Sequence, residues 1–511
     1  MRKNLQFSSI LNSPLSIPIG AILTALAPAP LNLWGFAWVG LVPLWFELMN
    51  DPRSPVLQGV ILGAVWGSIY HGLSMLWITG LHPLTWMGIP FWNSVAIVAL
   101  IWMLVAFWGA LSVGLWAWGA SWIIRQPIPS WLRILSATTL WCAIETARSH
   151  TSLDWTTLAY TQSPGNLAVL HLGQISGNVL ISAVIVAVNL TFAEGLRSGY
   201  GIKPLLPAIV VFTSSHLLGG LLWLIPTGLA SDAKPISIGI VQGNIPTRTK
   251  LSPSGIRQGL NHYISGYETL SRQGAQLIIL PEGAMPFYWG TDPKNPLAET
   301  IRDLKTPIAL GSFGSRGDRM TQAFLMLDAD AHITSQYDKI KVVPLGEALP
   351  FESVLGKFIT RLSPIKNFLV AGDDRQRFMT PLGQVAIGIC YESAFPEIFR
   401  TQIKEGSEWI ITTSNLDPYS TVLMAQHEAH DVMRAIENSR YLARATNTGY
   451  SGLITPHGII ASRSNSQQYE TQMTEVFKIQ STTMYTKFGN WIMPLLLMVS
   501  TIGWVKSIRS H

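Results

Sequence analysis

Charged residues are distributed very unevenly along this chain, and that division limits its fold more than any other feature. Residues 1–230 contain 13 charged side chains and 16 of the 20 tryptophans, whereas residues 231–488 contain 49 charged side chains and two tryptophans. Typical soluble domains carry about 25% charged residues. We therefore predict a membrane domain followed by a water-soluble domain, and a length of 511 residues is sufficient for both.

Eight apolar segments are candidate membrane-spanning helices, because a bilayer core of about 30 Å needs roughly 20 apolar residues. They lie at 14–29, 33–49, 57–78, 92–124, 131–147, 167–194, 205–226 and 489–505. The first could be a signal peptide, but six further spans precede the soluble part, which favours an uncleaved helix. The predicted organisation is a seven-helix membrane domain over 1–230, a soluble domain over 231–488, and an eighth helix with a cytoplasmic tail over 489–511.

Basic residues predict the orientation, since loops on the cytoplasmic side carry an excess of Lys and Arg. With eight spans, one set of loops and chain ends holds nine basic residues, and the alternate set holds Arg148 alone. Both termini are therefore expected in the cytoplasm. Seven spans then carry residues 231–488 to the opposite side of the membrane.

Two charged residues near the outer end of the fifth span, Glu145 and Arg148, have two interpretations. Charged side chains at membrane depth are costly and often functional, but this spacing also suits a structural ion pair on one helix. The tryptophans of the spans are interpreted as interfacial anchors. Cys142 and Cys390 fall in different parts of the chain, so we expect no disulfide between them.

Short apolar segments separated by helix-length stretches predict an α/β domain after residue 231. Candidate helices span 254–273 and 421–440, and candidate strands lie at 235–241, 276–280, 307–312, 323–327, 385–389 and 409–413. Runs such as Gln-Leu-Ile-Ile-Leu do not alternate between apolar and polar residues. Both faces of the sheets should therefore be covered by other layers.

Three strand ends carry reactive side chains, namely Glu282, Lys339 and Cys390. Functional residues of layered α/β domains collect where strands end. A carboxylate that accepts a thiol proton, a thiolate that attacks a carbonyl and a cation that stabilises the oxyanion would together permit nucleophilic acyl transfer. Spacing alone leaves plainer interpretations open: a buried thiol, a solvated lysine and a Pro-Glu loop.

Motifs around these residues resemble the nitrilase superfamily of carbon–nitrogen hydrolases: Leu280–Glu282, Tyr337–Lys339 and Ile389–Glu392. With its membrane-spanning start, the chain as a whole resembles the apolipoprotein N-acyltransferase family. Further matching segments are Val241–Pro246, Pro344–Glu347, Arg434–Glu437, Thr446–Gly449, Tyr485 and Gly489–Trp491. The resemblance implies an α-β-β-α sandwich as the soluble domain, attached to a polytopic α-helical membrane domain.

The resemblance also implies a reaction in two steps. Cys390 would attack a fatty-acyl ester of a phospholipid, Glu282 would act as general base, and Lys339 would stabilise the oxyanion. The thioester would then pass its acyl chain to the N-terminal amine of diacylglyceryl-cysteine on an apolipoprotein. A membrane-tethered amidase, in which water resolves the acyl-enzyme, is the alternative. A transporter is disfavoured, because residues 1–230 hold few charges and no evident internal repeat.

Three further residues match positions near the family's site. Tyr391 would contribute its backbone N–H to the oxyanion hole, while Glu347 and Glu392 would steer the lysine and the thiol. No metal or other cofactor is implied: His427 and His430 could suggest zinc or a Cys–His dyad, but no third ligand is nearby in sequence. A spread-out net charge of +6 gives no case for nucleic acid. We expect a monomer in the inner membrane with its catalytic domain on the periplasmic side.

Two segments depart from the family's pattern. Lys250-Leu251 stands where the family usually has a tryptophan implicated in substrate handling, and Leu416-Asp417-Pro418 interrupts a loop that commonly reads Ser-Asn-Asp-Ala-Trp-Phe. Both departures predict a changed substrate fit rather than a changed triad. The apolar stretches Ala284–Trp289 and Leu349–Ile359 are interpreted either as arms that dip into the outer leaflet or as ordinary domain packing.

Overall fold

The structure is a computed structural model, and the chain divides into two compact units. One comprises Met1–Thr79, Val95–Ile225 and Phe488–His511, and the other comprises Gly80–Ser94 and Pro226–Lys487. The first unit is helical, and the second contains two β-sheets. The residues that the structure describes are 13, 15–50, 56–199, 202–229, 233–290, 294–344, 347, 369–417 and 419–509.

Apolar helices dominate the first unit. The longer ones are Ser16–Ala25, Val42–Asn50, Val56–Ser74, Phe91–Ile124, Ser130–Ser149, Gly173–Ser198, Ile202–Trp223 and Ile492–Arg509. Many of their outward side chains are apolar; Phe107, Leu217 and Leu221 are each more than 60% exposed. Apolar surfaces of this extent are typical of contact with lipid or another protein.

Among the described residues, five helices are long and apolar enough to cross a membrane. These five are Val56–Ser74, Phe91–Ile124, Gly173–Ser198, Ile202–Trp223 and Ile492–Arg509. They confirm a membrane domain with several apolar helices. The count of eight spans stays a prediction, because the helices within the first two predicted spans have only ten and nine residues.

Glu145 and Arg148 are both buried, but they do not pair with each other. Glu145 Oε1 accepts hydrogen bonds from Trp141 Nε1 and from the Leu158 backbone N–H, each 2.9 Å long. The Arg148 guanidinium instead pairs with Asp154 at 3.5 Å. Of the two interpretations, the ion pair between these two residues is therefore not found. Each side chain instead ties its helix to the segment that follows.

Within the described residues of the second unit, twelve strands form two six-stranded sheets. The strands are β1 (Ile236–Gln242), β2 (Leu277–Ile279), β3 (Ile308–Arg316), β4 (Arg319–Leu327), β5 (Ile333–Asp338), β6 (Phe378–Thr380), β7 (Gly383–Ile389), β8 (Trp409–Ser414), β9 (Leu442–Thr446), β10 (Gly452–Ile454), β11 (Ile460–Arg463) and β12 (Glu470–Val476). Their spatial orders are β12-β1-β2-β3-β4-β5 and β11-β10-β9-β8-β7-β6. Strands β1 to β3 run parallel, as do β7 to β9, and the remaining pairs are antiparallel.

Four helices cover the outer faces of the two sheets. Helices α1 (Pro253–Arg272) and α2 (Pro296–Leu304) pack on the first sheet, and α3 (Pro396–Lys404) and α4 (Thr421–Asn438) pack on the second. This arrangement confirms the predicted α-β-β-α sandwich. The second unit also contains the four-residue helix Thr247–Lys250, and the five-residue helix Met484–Phe488 ends at the boundary between the two units.

The core between the sheets explains why the strands lack alternation. Ile238 and Ile240 of β1 face Ile387 and Ile389 of β7 in one buried cluster. Val241, which points to the opposite face of β1, packs instead in the cluster beneath α1 and α2. Successive side chains of a strand point to opposite faces. Because both faces are buried, apolar residues occupy both sets of positions, as predicted.

Candidate active site

Glu282 is held in a tight turn that follows β2. Strand β2 ends at Ile279, and the chain turns through Leu280-Pro281 into the carboxylate. A side chain at Gly311 of the neighbouring β3 would place its Cβ 2.7 Å from Glu282 Cα. Only glycine therefore lets this turn pack against the sheet. The Glu282 side chain is almost fully buried.

Lys339 follows β5 directly, and its ammonium lies between two carboxylates. Its Nζ is 3.0 Å from Glu282 Oε1 and 2.7 Å from Glu347 Oε1, and the side chain is fully buried. Burial disfavours the charge, but Glu282 and Glu347 outweigh it and hold the pKa of Lys339 well above its usual value. The ammonium is therefore a permanent cation in this site.

Cys390 follows β7 and opens the 3₁₀ helix Cys390–Ala394. Its φ of 54° lies in the left-handed region, which residues other than glycine rarely adopt. The residue is partly exposed. Burial of the sulfur and the nearby Glu282 carboxylate raise the pKa of the thiol well above its usual value, against the opposing effect of Lys339. At rest the thiol is therefore protonated.

Asn415 supplies a backbone group that the sequence analysis did not identify. Its N–H donates a 2.8 Å hydrogen bond to Glu282 Oε2, so both oxygens of this carboxylate are held. The same N–H favours the anionic form of Cys390. Residue type cannot reveal a backbone donor. The one available signal was position, because Asn415 directly follows the end of β8.

Glu392 links the segment after the lysine to the strand before the cysteine. Its Oε1 accepts hydrogen bonds from the backbone N–H groups of Ile340 and Lys341, at 2.6 and 3.1 Å. Its Oε2 accepts from the Ile389 N–H at 2.7 Å and from the Tyr337 hydroxyl at 3.1 Å. Burial raises the pKa of Glu392 to about 7, although the N–H donors oppose this rise. The carboxylate therefore holds two catalytic segments in register.

Glu347 and Tyr391 occupy different positions around the cluster. Glu347 contacts the Lys339 ammonium with one oxygen and accepts the Val343 N–H at 2.9 Å with the other. The ring of Tyr391 lies 5.1 Å from that of Phe395, in an edge-on arrangement. The oxyanion role of the Tyr391 N–H stays a prediction.

The two departures from the family's pattern lie in segments that bond to each other near Glu282. Lys250 is buried and donates to the Glu282 carbonyl oxygen at 3.2 Å, and burial lowers its pKa to about 8. Leu251 is 69% exposed and points away from the cluster. Asp417 accepts the Thr247 N–H at 2.6 Å, which ties the altered loop to the segment containing Lys250.

A second residue of the altered loop, Tyr419, is linked electrostatically to the same cluster. Burial is the main cause that raises the pKa of the Tyr419 phenol, and negative charge on Cys390 would raise it further. In the sequence, this tyrosine stands out only as part of the altered loop.

The loop after Glu282 packs into the domain. Ala284 and Met285 are buried in the cluster beneath α1 and α2, and Phe287 and Trp289 pack against that cluster. Tyr288 remains 41% exposed. Domain packing is therefore the correct interpretation of this stretch. The second predicted arm, 349–359, lies outside the described residues.

Proton transfer within the cluster conserves its charge. Two carboxylates and one ammonium give Glu282, Glu347 and Lys339 one net negative charge. Ionising the thiol into solvent would add a second negative charge, whereas moving its proton to Glu282 leaves the net charge unchanged. Internal transfer of the Cys390 proton to Glu282 would therefore generate a thiolate beside a fixed cation without adding charge to the cluster.

A two-sheet sandwich with a cysteine, a glutamate and a lysine at its strand ends defines a domain of the carbon–nitrogen hydrolase class. The family model described as carbon-nitrogen hydrolase matches residues 237–483. The model described as apolipoprotein N-acyltransferase N-terminal domain matches residues 20–191.

Full-length relatives make the assignment more specific. Apolipoprotein N-acyltransferase of Nostoc sp. is 43% identical over 488 residues, covering 94% of this chain and 97% of the relative. The Synechocystis sp. protein of that name is 38% identical and covers 94% and 98%. The Thermosynechococcus vestitus protein is 39% identical and covers 96% and 94%. The chain belongs to the apolipoprotein N-acyltransferase family.

Proposed function

We propose that this chain transfers a fatty-acyl group from a phospholipid to the N-terminal amine of diacylglyceryl-cysteine on an apolipoprotein. The observation that carries the proposal is the convergence of Cys390, Glu282 and Lys339 in one largely buried cluster. Membership of the family and the apolar helices support a lipid donor. We assign Cys390 as nucleophile, Glu282 as general base and Lys339 as oxyanion cation.

The first half-reaction forms a thioester. Glu282 takes the proton of the Cys390 thiol, and the thiolate attacks the acyl ester carbonyl of the phospholipid. Lys339 and the backbone N–H of Tyr391 stabilise the oxyanion. When the ester C–O bond breaks, Glu282 returns the proton to the departing alkoxide. A lysophospholipid leaves, and the acyl chain stays on sulfur.

The second half-reaction forms an amide. An α-amino group has a pKa near 7.7–8.0, so a substantial fraction of the acceptor amine is neutral and nucleophilic at neutral pH. The amine attacks the thioester, Glu282 accepts its proton, and the thiolate leaves and regains that proton. The Glu282 carboxylate accepts and returns a proton in each half-reaction. Hydrogen bonds hold both of its oxygens in place, so the same group can serve both steps.

Product stoichiometry tests this proposal. The enzyme in phospholipid vesicles, given a diacylglyceryl-cysteine peptide, should release lysophospholipid and N-acylated peptide in equal amounts, as measured by mass spectrometry. A peptide with an acetylated N-terminus is the matched control and should accept no acyl chain. Release of free fatty acid in place of acylated peptide would indicate an amidase-type hydrolase and would contradict the transfer.

The proposal includes a location for the catalytic domain. The asymmetry of Lys and Arg in the loops supports cytoplasmic termini and a domain on the periplasmic side of the inner membrane. We further propose that the chain acts as a monomer. Neither nucleic acid nor a cofactor enters the proposed reaction.

Cysteine labelling tests the orientation. In a background without Cys142 and Cys390, Asp318→Cys on the exposed β3–β4 turn should react with an impermeant maleimide in intact spheroplasts. Gln126→Cys, between two predicted spans, should react only after the membrane is opened. The reversed pattern would place the catalytic domain in the cytoplasm and contradict the proposed orientation.

A further inference from the structure

Helix α4 lies behind the turn that begins with Cys390 and bonds to it at two points. His427 Nε2 is 2.9 Å from the Cys390 carbonyl oxygen, and Arg434 Nη1 donates to the Ser393 carbonyl oxygen at 3.4 Å. The two side chains are seven residues apart, which is about two helical turns, so they share one face of α4. The helix therefore holds two carbonyl groups of the 3₁₀ helix Cys390–Ala394.

The tautomer of His427 follows from the groups within hydrogen-bond distance of its two ring nitrogens, the Asp431 carboxylate being farther away, at 3.7 Å from Nδ1. The Arg444 guanidinium, which can only donate, lies 3.4 and 3.5 Å from Nδ1. The Cys390 carbonyl, which can only accept, lies at Nε2. Nδ1 is therefore the acceptor and Nε2 carries the hydrogen. Burial, with Arg444 as a further cause, lowers the pKa of His427 to about 3, so the ring stays neutral.

A buried ion pair fixes this arrangement from behind. Arg444 pairs with Asp431, whose carboxylate also accepts the Thr412 hydroxyl at 2.9 Å. The Asp431 and Arg444 side chains are at most 2% exposed, and His427 is 1% exposed. Arg444 therefore has little freedom to leave Nδ1, and His427 has little freedom to rotate.

The planarity of the peptide bond gives the His427 contact a consequence at the reacting atoms. The Cys390 carbonyl and the Tyr391 N–H belong to one planar trans peptide unit, in which they point in opposite directions. A bond that fixes the carbonyl therefore also fixes the N–H. The left-handed φ of Cys390 is strained, and such a conformation persists only where its surroundings hold it.

We propose that His427 is a positioning residue that holds the Cys390 carbonyl and so directs the Tyr391 N–H at the oxyanion. The inference rests on the proposed acyl transfer through Cys390. It accounts for the buried His427–Arg444–Asp431 chain, which bonds to the backbone of the turn that begins with Cys390. Neither zinc binding nor a Cys–His dyad is needed to explain His427.

Two polar substitutions whose side chains differ in length test the proposal. The change His427→Gln can place an amide N–H near the position of Nε2, whereas His427→Asn keeps a polar group near Nδ1 but does not reach the carbonyl. Single-turnover acylation of Cys390 is measured with a short-chain p-nitrophenyl ester. This donor forms the same oxyanion without requiring a phospholipid, so failure of the phospholipid reaction would count against the proposed function alone.

Alkylation by iodoacetamide supplies the second readout, because this reaction forms no oxyanion. We expect His427→Asn to slow acylation by about 10²–10³, the usual effect of losing one oxyanion donor, and to change alkylation by less than about threefold. His427→Gln should recover most of the acylation rate. His430→Gln, on the same helix, is the matched control and should acylate like the wild type.

Three results would overturn the proposal. They are wild-type acylation by His427→Asn, an equal loss of acylation and alkylation, and a glutamine variant no faster than the asparagine variant. If His427→Asn does not fold, the His427→Gln variant alone tests the proposal. Its acylation and alkylation rates must then both stay near those of the wild type. Loss of acylation with normal alkylation in this variant would contradict the proposed contact.

Discussion

Cys390→Ala is expected to eliminate acyl-enzyme formation and, with it, all transfer. Alanine has no nucleophilic atom, and the cluster holds no second thiol, because the other cysteine of the chain, Cys142, lies in the helical unit. The wild type incubated with labelled phospholipid and no acceptor should accumulate a protein-bound acyl group that hydroxylamine releases. The variant should accumulate none, as measured by intact-protein mass spectrometry before and after hydroxylamine.

Cys142→Ala is the matched control for this experiment. Its thiol is buried and contacts the Val179 carbonyl at 3.8 Å, so its loss removes only a small packing group. This variant should keep nearly all wild-type activity. An adduct that survives hydroxylamine, or one that still forms on Cys390→Ala, would be incompatible with a thioester on Cys390.

Central strands of the sandwich were predictable because their own residues determine them. The apolar runs that form β2, β7 and β8 are buried on both faces. Side chains on either face of such a run must be apolar, so the run can be recognised from its own residues. Strand β9 was not predicted, since Arg444 interrupts it with a charge whose partner is Asp431 on another element. Strand β12 pairs with β1 from more than 220 residues away, and local pattern does not encode such pairing.

The site residues also fall into two groups, those that motifs identify and those that motifs do not. The proposed triad could be named from motifs because its proposed chemistry depends on the chemical type of these side chains. Asn415 contributes a backbone N–H, and His427 contacts a backbone carbonyl. Each contact involves a backbone group, which every residue has, so no pair of reactive side chains marks it in the sequence. The loop after Glu282 was left with two interpretations, since an apolar stretch suits both a lipid surface and a protein core. Only tertiary packing separates these alternatives.

Glu282→Gln should separate base catalysis from charge pairing. The amide keeps the shape of the carboxylate but cannot accept the thiol proton, so acyl-enzyme formation should be lost. After burial, the Glu282 carboxylate is the largest cause of the raised pKa of the Cys390 thiol. Its removal should therefore lower that pKa. Alkylation of Cys390 by iodoacetamide at neutral pH should then be at least as fast as in the wild type. Unfolding would also expose the thiol and speed its alkylation, so a thermal denaturation profile like that of the wild type is required for this result to identify Glu282 as the base.

Lys339→Arg should fail to replace the lysine, although it conserves the charge. The ammonium is fully buried, 3.0 Å from Glu282 and 2.7 Å from Glu347, and a planar guanidinium on a longer arm places its donors elsewhere. Lys339→Ala should slow single-turnover acylation by about 10²–10³ or more, the effect of losing one oxyanion donor, and Lys339→Arg should remain close to it. If the lysine served only as a counter-ion for Glu282, arginine would pair with that carboxylate and acylation would stay near the wild-type rate. Comparing Lys339→Ala, Lys339→Arg and the wild type in membranes, with folding monitored by thermal denaturation, distinguishes an oxyanion cation from a structural ion pair.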